Sequence, residues 1–133
     1  MLGIADLKHK CYTRLSGGAR QLVLIAKALC QEPEIILFDE PTTYLDLKNQ
    51  IKVMRVIKGL SSNQGVTCVL TLHDPNLALA FCDEVMMFKK GRVVQGEPGA
   101  IITASAVEEV YGIKAEVVNY QGTNTLIPDY YDE

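Results

Sequence analysis

Apolar residues recur at helical spacing after Ser16, and this is the first clear periodicity in the chain. Four of them would share one helix face: Leu22, Ile25, Ala26 and Leu29. The hydroxyl of Ser16 can cap the start of this helix, and Pro33 marks its end. Residues 1–15 show only weak periodicity, so we interpret them as the end of a preceding element.

Two uninterrupted apolar runs, at 35–38 and 66–72, are each followed directly by polar residues. Such runs are typical of strands buried on both faces, as in a parallel sheet covered by helices. Between them, Asp46 can cap a helix that runs to about Leu60. Its predicted inner side carries Leu47, Ile51 and Met54, and the composition of residues 61–65 predicts a loop.

The rest of the chain predicts short elements. A helix from Pro75 to about Cys82 leads to a hairpin that turns at Lys90-Gly91, between residues 84–88 and 92–95. Ser105 and Glu108 can form a capping box for a helix ending near Gly112, and a small β-rich end comes after it. The alternation of strands and helices predicts an α/β fold.

Composition narrows the class of protein. Apolar residues make up 48% and charged residues 22% of the 133 residues, which is typical of a globular chain. A formal net charge of -3 gives no reason to expect nucleic acid. The four cysteines form no CxxC pair, so we predict buried, reduced thiols. No apolar stretch approaches the roughly 20 residues of a membrane span, and residues 1–6 meet a charge too early for a signal peptide, so we expect any membrane association to go through a partner.

The segment Leu15-Ser16-Gly17-Gly18-Ala19 is the first candidate site. Glycines allow a backbone to approach a ligand closely, and free N–H groups at a helix N-terminus favour an anion. This pattern indicates a possible phosphate contact. An ordinary Ser-Gly turn into a helix explains the same residues.

Acidic residues and a histidine follow the two predicted strands. Asp39 and Glu40 end the first, and His73 ends the second. Ligands bind at the carboxyl ends of strands in open α/β sheets, where a carboxylate can hold Mg²⁺ and a neighbour can orient water. Solvated loop residues would look the same, and Asp74 can simply cap the next helix.

Taken together and in this order, these segments resemble the ATP-binding-cassette (ABC) ATPases. Leu15-Ser16-Gly17-Gly18 resembles the signature motif, 35–40 the Walker B strand, 41–46 the D-loop, and His73 the switch histidine. The segment from Asp83 to Val93 resembles the stretch after the switch histidine in transporter ATPases, and the likeness covers Leu2 to about Gly112. Ala19 departs from the family's usual glutamine, and we expect a modest effect.

The resemblance implies a partial P-loop NTPase fold, with a parallel sheet flanked by helices. No GxxxxGK[ST] sequence occurs in the chain, so we expect the Walker A strand and loop to be absent. Residues 1–15 would then end a helical subdomain, 16–100 would form the core with the motifs, and 101–133 a terminal helix and β-rich end. We expect the missing strand to lie between the Walker B and His73 strands, so that the chain re-pairs its strands or self-associates.

The resemblance also assigns roles. Ser16, Gly17 and Gly18 would contact ATP held by a second ABC ATPase subunit. On the chain's own nucleotide, the predicted residues are Asp39 for Mg²⁺, Glu40 for the attacking water and His73 for the γ-phosphate, while Asp46 would couple the two sites. The expected partners are that second subunit, transmembrane permease subunits and a substrate-binding protein, at the cytoplasmic face of the membrane. Without the phosphate loop, we expect the isolated chain to be inactive.

The sequences of residues 40–46 and 110–113 are similar to those of ATPases that drive importers of iron-siderophore, haem or cobalamin complexes. Three alternatives remain: the C-terminal lobe of a DNA-repair or chromosome ABC ATPase, a metal-dependent hydrolase using Asp39, Glu40, His73 and Asp74, and a noncatalytic interaction module. The metal hydrolase leaves the Ser16–Gly18 segment unexplained.

Overall fold

The computed structural model describes residues 2–89 and 91–131, in two compact units that divide between His73 and Asp74. The first unit begins with two 3₁₀ turns. Its main elements are α1 (Gly17–Leu29), β1 (Ile35–Phe38), α2 (Leu47–Gln64) and β2 (Thr67–Leu70). Strands β1 and β2 pair in parallel, with Ile35 opposite Thr67 and Phe38 opposite Leu70. Among the described residues, no further strand lies between β1 and β2.

Helix α2 is longer than predicted. It continues through Gln64 and ends at Gly65, whose φ of 69° is left-handed, a conformation that glycine adopts without steric cost. The predicted loop at 61–65 is therefore wrong, because the polar residues after Leu60 disfavour a helix only weakly. The buried face is also displaced from the predicted one. It comprises Val53, Met54, Ile57 and Leu60, whereas Leu47 is exposed.

Strand β1 packs through only one of its faces. Ile36 and Phe38 are buried, but Ile35 and Leu37 are 60% and 76% exposed. Side chains alternate across a strand, so the two exposed residues share the opposite face. The prediction of burial on both faces is wrong for this chain, in which α2 packs against β2 and α1 against α2.

The second unit contains two antiparallel hairpins and three short helices. Its elements are α3 (Pro75–Phe81), β3 (Val85–Lys89), β4 (Arg92–Gly96), α4 (Pro98–Ile101), α5 (Ala104–Tyr111), β5 (Ala115–Tyr120) and β6 (Thr123–Pro128). Strand β3 pairs with β4, and β5 with β6, which confirms the predicted hairpin and the β-rich end. Lys90, half of the predicted turn, lies outside the described residues.

Helix α5 has a different cap from the one predicted. The side chain of Thr103 accepts a hydrogen bond from the Ala106 amide at 3.2 Å, so Ser105 lies inside the first turn. The Ser105–Glu108 capping box is therefore wrong by two positions. The predicted end is confirmed, since Gly112 follows the helix with φ 73°.

Asn76 of α3 is hydrogen-bonded to strand β6 of the β5–β6 hairpin. Its side-chain amide donates to the Leu126 carbonyl at 3.1 Å, and the Leu126 amide donates to Asn76 Oδ1 at 2.7 Å. One side chain thus satisfies both backbone groups of a strand residue, as a neighbouring strand would. The Asn76 amide thus adds two hydrogen bonds to the other contacts between α3 and β6.

All four cysteines are free, as predicted, but their predicted burial is only partly correct. Cys11 and Cys30 are exposed, and Cys68 and Cys82 are half-buried. Within residues 2–89 and 91–131, no helix combines the length and the apolar character that a membrane span requires.

Candidate functional site

The carboxyl ends of β1 and β2 bring the acidic residues and the histidine together. Parallel strands end at the same edge of a sheet, so Asp39 and Glu40 after β1 lie beside the segment that follows β2. Glu40 Oε1 is 2.7 Å from His73 Nε2. The structure therefore makes neighbours of two residues that belong to different strand ends and lie far apart in the sequence.

The Glu40 carboxylate receives hydrogen bonds at both oxygens. Oε1 faces His73, and Oε2 accepts from the Thr43 hydroxyl at 2.8 Å. The bond to His73, and after it the bond to Thr43, lower the pKa of the Glu40 carboxyl below its ordinary value of 4.5. Glu40 is therefore ionised at neutral pH. Its side chain is 41% and that of His73 78% exposed, so both can be reached from solvent.

The Thr71 hydroxyl is hydrogen-bonded to both Asp39 and Glu40. It donates to Asp39 Oδ1 at 3.1 Å and accepts from the Glu40 backbone amide at 2.8 Å. The Thr71 amide in turn bonds the Phe38 carbonyl at 3.1 Å, which extends the β1–β2 pairing toward the site. The regular pairing of β1 and β2 thus positions Thr71 next to Asp39 and Glu40.

The loop after β1 turns sharply to reach α2. Glu40 and Tyr44 both have left-handed backbones, with φ of 45° and 62°, which is uncommon outside glycine. Amide-to-carbonyl bonds from Thr43 to Glu40 and from Leu45 to Thr42 close the turns. Thr42 is buried in the loop. This geometry holds the Glu40 side chain at the sheet edge and delivers Asp46 to the start of α2.

Asp46 caps α2, as the sequence predicts, and also orients a neighbour. Its Oδ1 accepts from the Asn49 amide at 2.8 Å, and its Oδ2 accepts from the Asn49 side chain at 3.0 Å. Both carboxylate oxygens are used within the first turn. The Asn49 side chain is consequently fixed in direction.

The glycines at the start of α1 have a packing reason that the sequence did not reveal. Ser16 caps α1 as predicted, accepting from the Ala19 amide at 3.4 Å. A Cβ added at Gly18 would lie 2.5 Å from Asn49 Oδ1, and one added at Gly17 would lie 3.1 Å from Leu45 Cδ2. Gly18 is buried, so its missing side chain makes room for Asn49 rather than for a ligand. Ser16 and Gly17 remain exposed at the helix N-terminus.

The predicted site residues therefore form two groups. Glu40 and His73 are in contact at the sheet edge and Asp39 precedes Glu40 there, while Ser16, Gly17 and Gly18 lie at the helix start that packs on the Asp46–Asn49 turn. Sequence reasoning missed Thr71, Thr43 and Asn49. The available signals were weak: a hydroxyl at the end of an apolar strand, and polar residues three positions after Glu40 and Asp46. Asp74, weighed as a ligand or a cap, caps α3 by accepting from the Asn76 amide at 2.8 Å.

The donor set at the sheet edge fits Mg²⁺ better than a transition metal. Asp39 offers carboxylate oxygen, the ligand type that Mg²⁺ prefers, and Mg²⁺ is usually held by one or two carboxylates together with substrate phosphates. In the described part of the chain, no three His, Cys, Asp or Glu side chains are grouped as metal ligands.

Known proteins share both the sequence and the fold. A family model described as ABC transporter matches residues 1–43. An uncharacterized ABC transporter ATP-binding protein of Methanocaldococcus jannaschii is 41% identical over 129 residues, which is 96% of this chain and 50% of that protein. The ferric enterobactin transport ATP-binding protein FepC of Escherichia coli is 36% identical over 95% of this chain and 48% of its own length.

Among solved structures, a metal-chelate type ABC transporter in an inward-facing conformation matches with a TM-score of 0.89 and 33% identity. The match covers 98% of this chain and 53% of that one. The re-pairing of strands stays a prediction. Self-association stays a prediction.

The fold is that of part of an α/β ABC ATPase domain. The chain belongs to the family of ABC transporter ATP-binding proteins. It spans about half the length of the curated relatives it matches.

Proposed function

We propose that this chain forms part of the ATP-hydrolysing subunit of a transporter that imports a metal chelate. The observation that carries the proposal is the 2.7 Å contact of Glu40 with His73, beside Asp39 at the end of two parallel strands. This contact sets an ionised carboxylate and an imidazole at the sheet edge where open α/β sheets bind their ligands.

Each residue has a defined chemical task in this proposal. Glu40, ionised at neutral pH, polarises the attacking water and accepts its proton. His73 donates a hydrogen bond to a γ-phosphate oxygen, which stabilises charge that develops during transfer. Asp39 holds Mg²⁺, which supplies charge neutralisation on the phosphates when bound.

The helix start at Ser16, Gly17 and Gly18 serves the nucleotide of a second ABC ATPase subunit. Ser16 and Gly17 are exposed at the N-terminus of the 13-residue helix α1, where free N–H groups and the helix dipole favour phosphate. Gly18 contributes indirectly, because its missing side chain lets the Asp46–Asn49 turn pack closely against the start of α1. Asp46 thereby couples the two groups of residues.

The transported class and the partners are proposed from the relatives. They include FepC, an iron(3+)-hydroxamate import protein of Bacillus subtilis and a cobalamin import protein of Halobacterium salinarum. The compounds named for these three proteins all contain a chelated metal ion. We propose that the subunit works as a dimer on permease subunits at the cytoplasmic face of the membrane, with a substrate-binding protein as the further partner.

The test is ATP hydrolysis by a chimera that joins this chain to the portion of FepC that it does not match. This chain contains no GxxxxGK[ST], so alone it is expected neither to bind ATP tightly nor to hydrolyse it. In the chimera, Glu40→Gln is expected to lower kcat by about 100-fold or more, the scale of a general base, while ATP still binds. The matched control is Glu34→Gln, an exposed acid at the opposite end of β1, which should change kcat by less than about twofold.

One result would overturn the proposal: an active chimera in which Glu40→Gln hydrolyses ATP as fast as the control variant does. Saturable micromolar binding of Mg-ATP to this chain alone would instead contradict the prediction that the isolated chain is inactive, because it would mean that the chain itself contains a phosphate site.

A further inference from the structure

Thr71 occupies the junction between the two acidic residues of the site. Its hydroxyl is a donor to Asp39 Oδ1 at 3.1 Å and an acceptor from the Glu40 amide at 2.8 Å. A hydroxyl is the smallest side-chain group that both donates and accepts, so it can serve a carboxylate and an N–H at once. Valine has the same shape and can do neither.

The Glu40 backbone needs such support. Its φ of 45° is a left-handed conformation, which is sterically unfavourable for a residue that has a side chain. The bond from the Glu40 amide to Thr71 and the turn bond from the Thr43 amide to the Glu40 carbonyl, at 3.2 Å, hold the two sides of this residue. These two bonds restrain the backbone of the residue whose carboxylate contacts His73.

The Asp39 side chain depends on the same hydroxyl. Donation to Oδ1 restrains rotation of the carboxylate about its last bond. A carboxylate with a fixed orientation loses less freedom when it binds a cation than one that rotates freely. One hydroxyl thus aligns the proposed Mg²⁺ ligand and the proposed catalytic residue together.

We infer that Thr71 is a positioning residue, whose hydroxyl sets the Asp39 carboxylate and the Glu40 backbone relative to each other. The consequence for catalysis rests on the function proposed above, whereas the alignment itself does not. The parallel pairing of β1 and β2 brings Thr71 to this place, because the Thr71 amide continues the ladder to the Phe38 carbonyl.

The alignment is tested in the chain as it is, without nucleotide, by nuclear magnetic resonance. Thr71→Val is expected to speed hydrogen exchange of the Glu40 amide by about two- to tenfold, the scale of one lost hydrogen bond, and to shift the Asp39 carboxyl carbon signal. Thr71→Ser keeps the hydroxyl and should restore both values. Thr67→Val, at the opposite end of β2, is the matched control and should leave both unchanged.

A merely structural residue would give a different pattern. Loss of general stability would raise exchange throughout β2 and would affect Thr67→Val and Thr71→Val alike. Unchanged Glu40 exchange in Thr71→Val, or failure of Thr71→Ser to restore it, would overturn the inference.

Hydrolysis by the chimera adds the second readout. Thr71→Val is expected to lower kcat by about tenfold with little change in KM, because the residue aligns reacting groups and does not bind ATP itself. A chimera that hydrolyses no ATP, with the resonance results as expected, would refute the proposed function and leave the alignment standing. A kcat equal to that of the unchanged chimera would refute the catalytic consequence alone.

Discussion

Replacing Gly18 by alanine tests the closest approach between two helices in the first unit. The added Cβ would lie 2.5 Å from Asn49 Oδ1, 2.6 Å from Cγ and 2.9 Å from Cβ. Asn49 has little freedom to retreat, because its Cβ is attached to the α2 backbone and its amide is bonded to Asp46 at 3.0 Å. The helices must therefore separate, or Asn49 must leave its position.

The magnitude follows from two opposing terms. Overpacking of this kind costs about 1–3 kcal/mol, while alanine gains at most about 1 kcal/mol over glycine in a helix. We expect a net loss of about 1–2 kcal/mol in the free energy of unfolding, measured by urea denaturation with circular dichroism. Gly59→Ala in α2 is the matched control, since the nearest atom to its added Cβ is 3.8 Å away, and it should gain about 0.5–1 kcal/mol.

The double variant Gly18→Ala/Asn49→Ala isolates the contact. Asn49→Ala removes the contacts at 2.5 and 2.6 Å but keeps Asn49 Cβ at 2.9 Å, so the loss from Gly18→Ala should become smaller in that background without disappearing, with a coupling energy of about 1 kcal/mol. If Gly18→Ala is as stable as the unchanged chain, the packing explanation of this glycine is refuted. The close approach of a ligand would then be the better explanation.

Three further changes test other contacts. Glu40→Gln should flatten the acid limb of the stability profile, measured as urea midpoints from about pH 3 to 6. Because the pKa of Glu40 is lowered in the folded state, its contribution to stability is complete above the unfolded pKa of 4.5. That contribution is lost as the pH falls through the lower folded pKa. Identical stability profiles of the variant and the unchanged chain would contradict this. Asn76→Ala should cost about 1–3 kcal/mol in urea denaturation by leaving both Leu126 backbone groups unpaired, and a loss below about 0.5 kcal/mol would show that water replaces the amide. Thr103→Ala should cost about 1 kcal/mol by thermal unfolding and Ser105→Ala clearly less, whereas the reverse order would restore the predicted capping box.

Local signals in the sequence predicted the elements and their polar ends. Ser16 and Asp46 cap the helices for which they were predicted, because a cap needs only a short oxygen-bearing side chain before an amphipathic run. The convergence of Asp39, Glu40 and His73 was also predictable, since parallel strands end at one edge. These features depend on spacing along the chain alone.

The features that could not be predicted depend on which element packs against which. Nothing local to Gly18 shows that Asn49 will lie against it, and nothing local to Thr71 shows that two acidic residues will share its hydroxyl. Burial of β1 was misjudged for the same reason. An apolar run such as 35–38 shows that its residues can be buried, but the other elements decide which face is covered.

The left-handed backbone at Glu40 has a consequence for any attempt to make this protein more heat-resistant. Glycine or asparagine at position 40 would relieve a conformational cost of about 1–2 kcal/mol. Wherever that gain exceeds the stabilisation lost with the Glu40 bonds to His73 and Thr43, a library screened only for survival on heating would enrich variants that have lost the carboxylate. Tyr44, with φ of 62°, offers the same relief without touching the sheet edge, so glycine there is the substitution that such an engineering effort should try first.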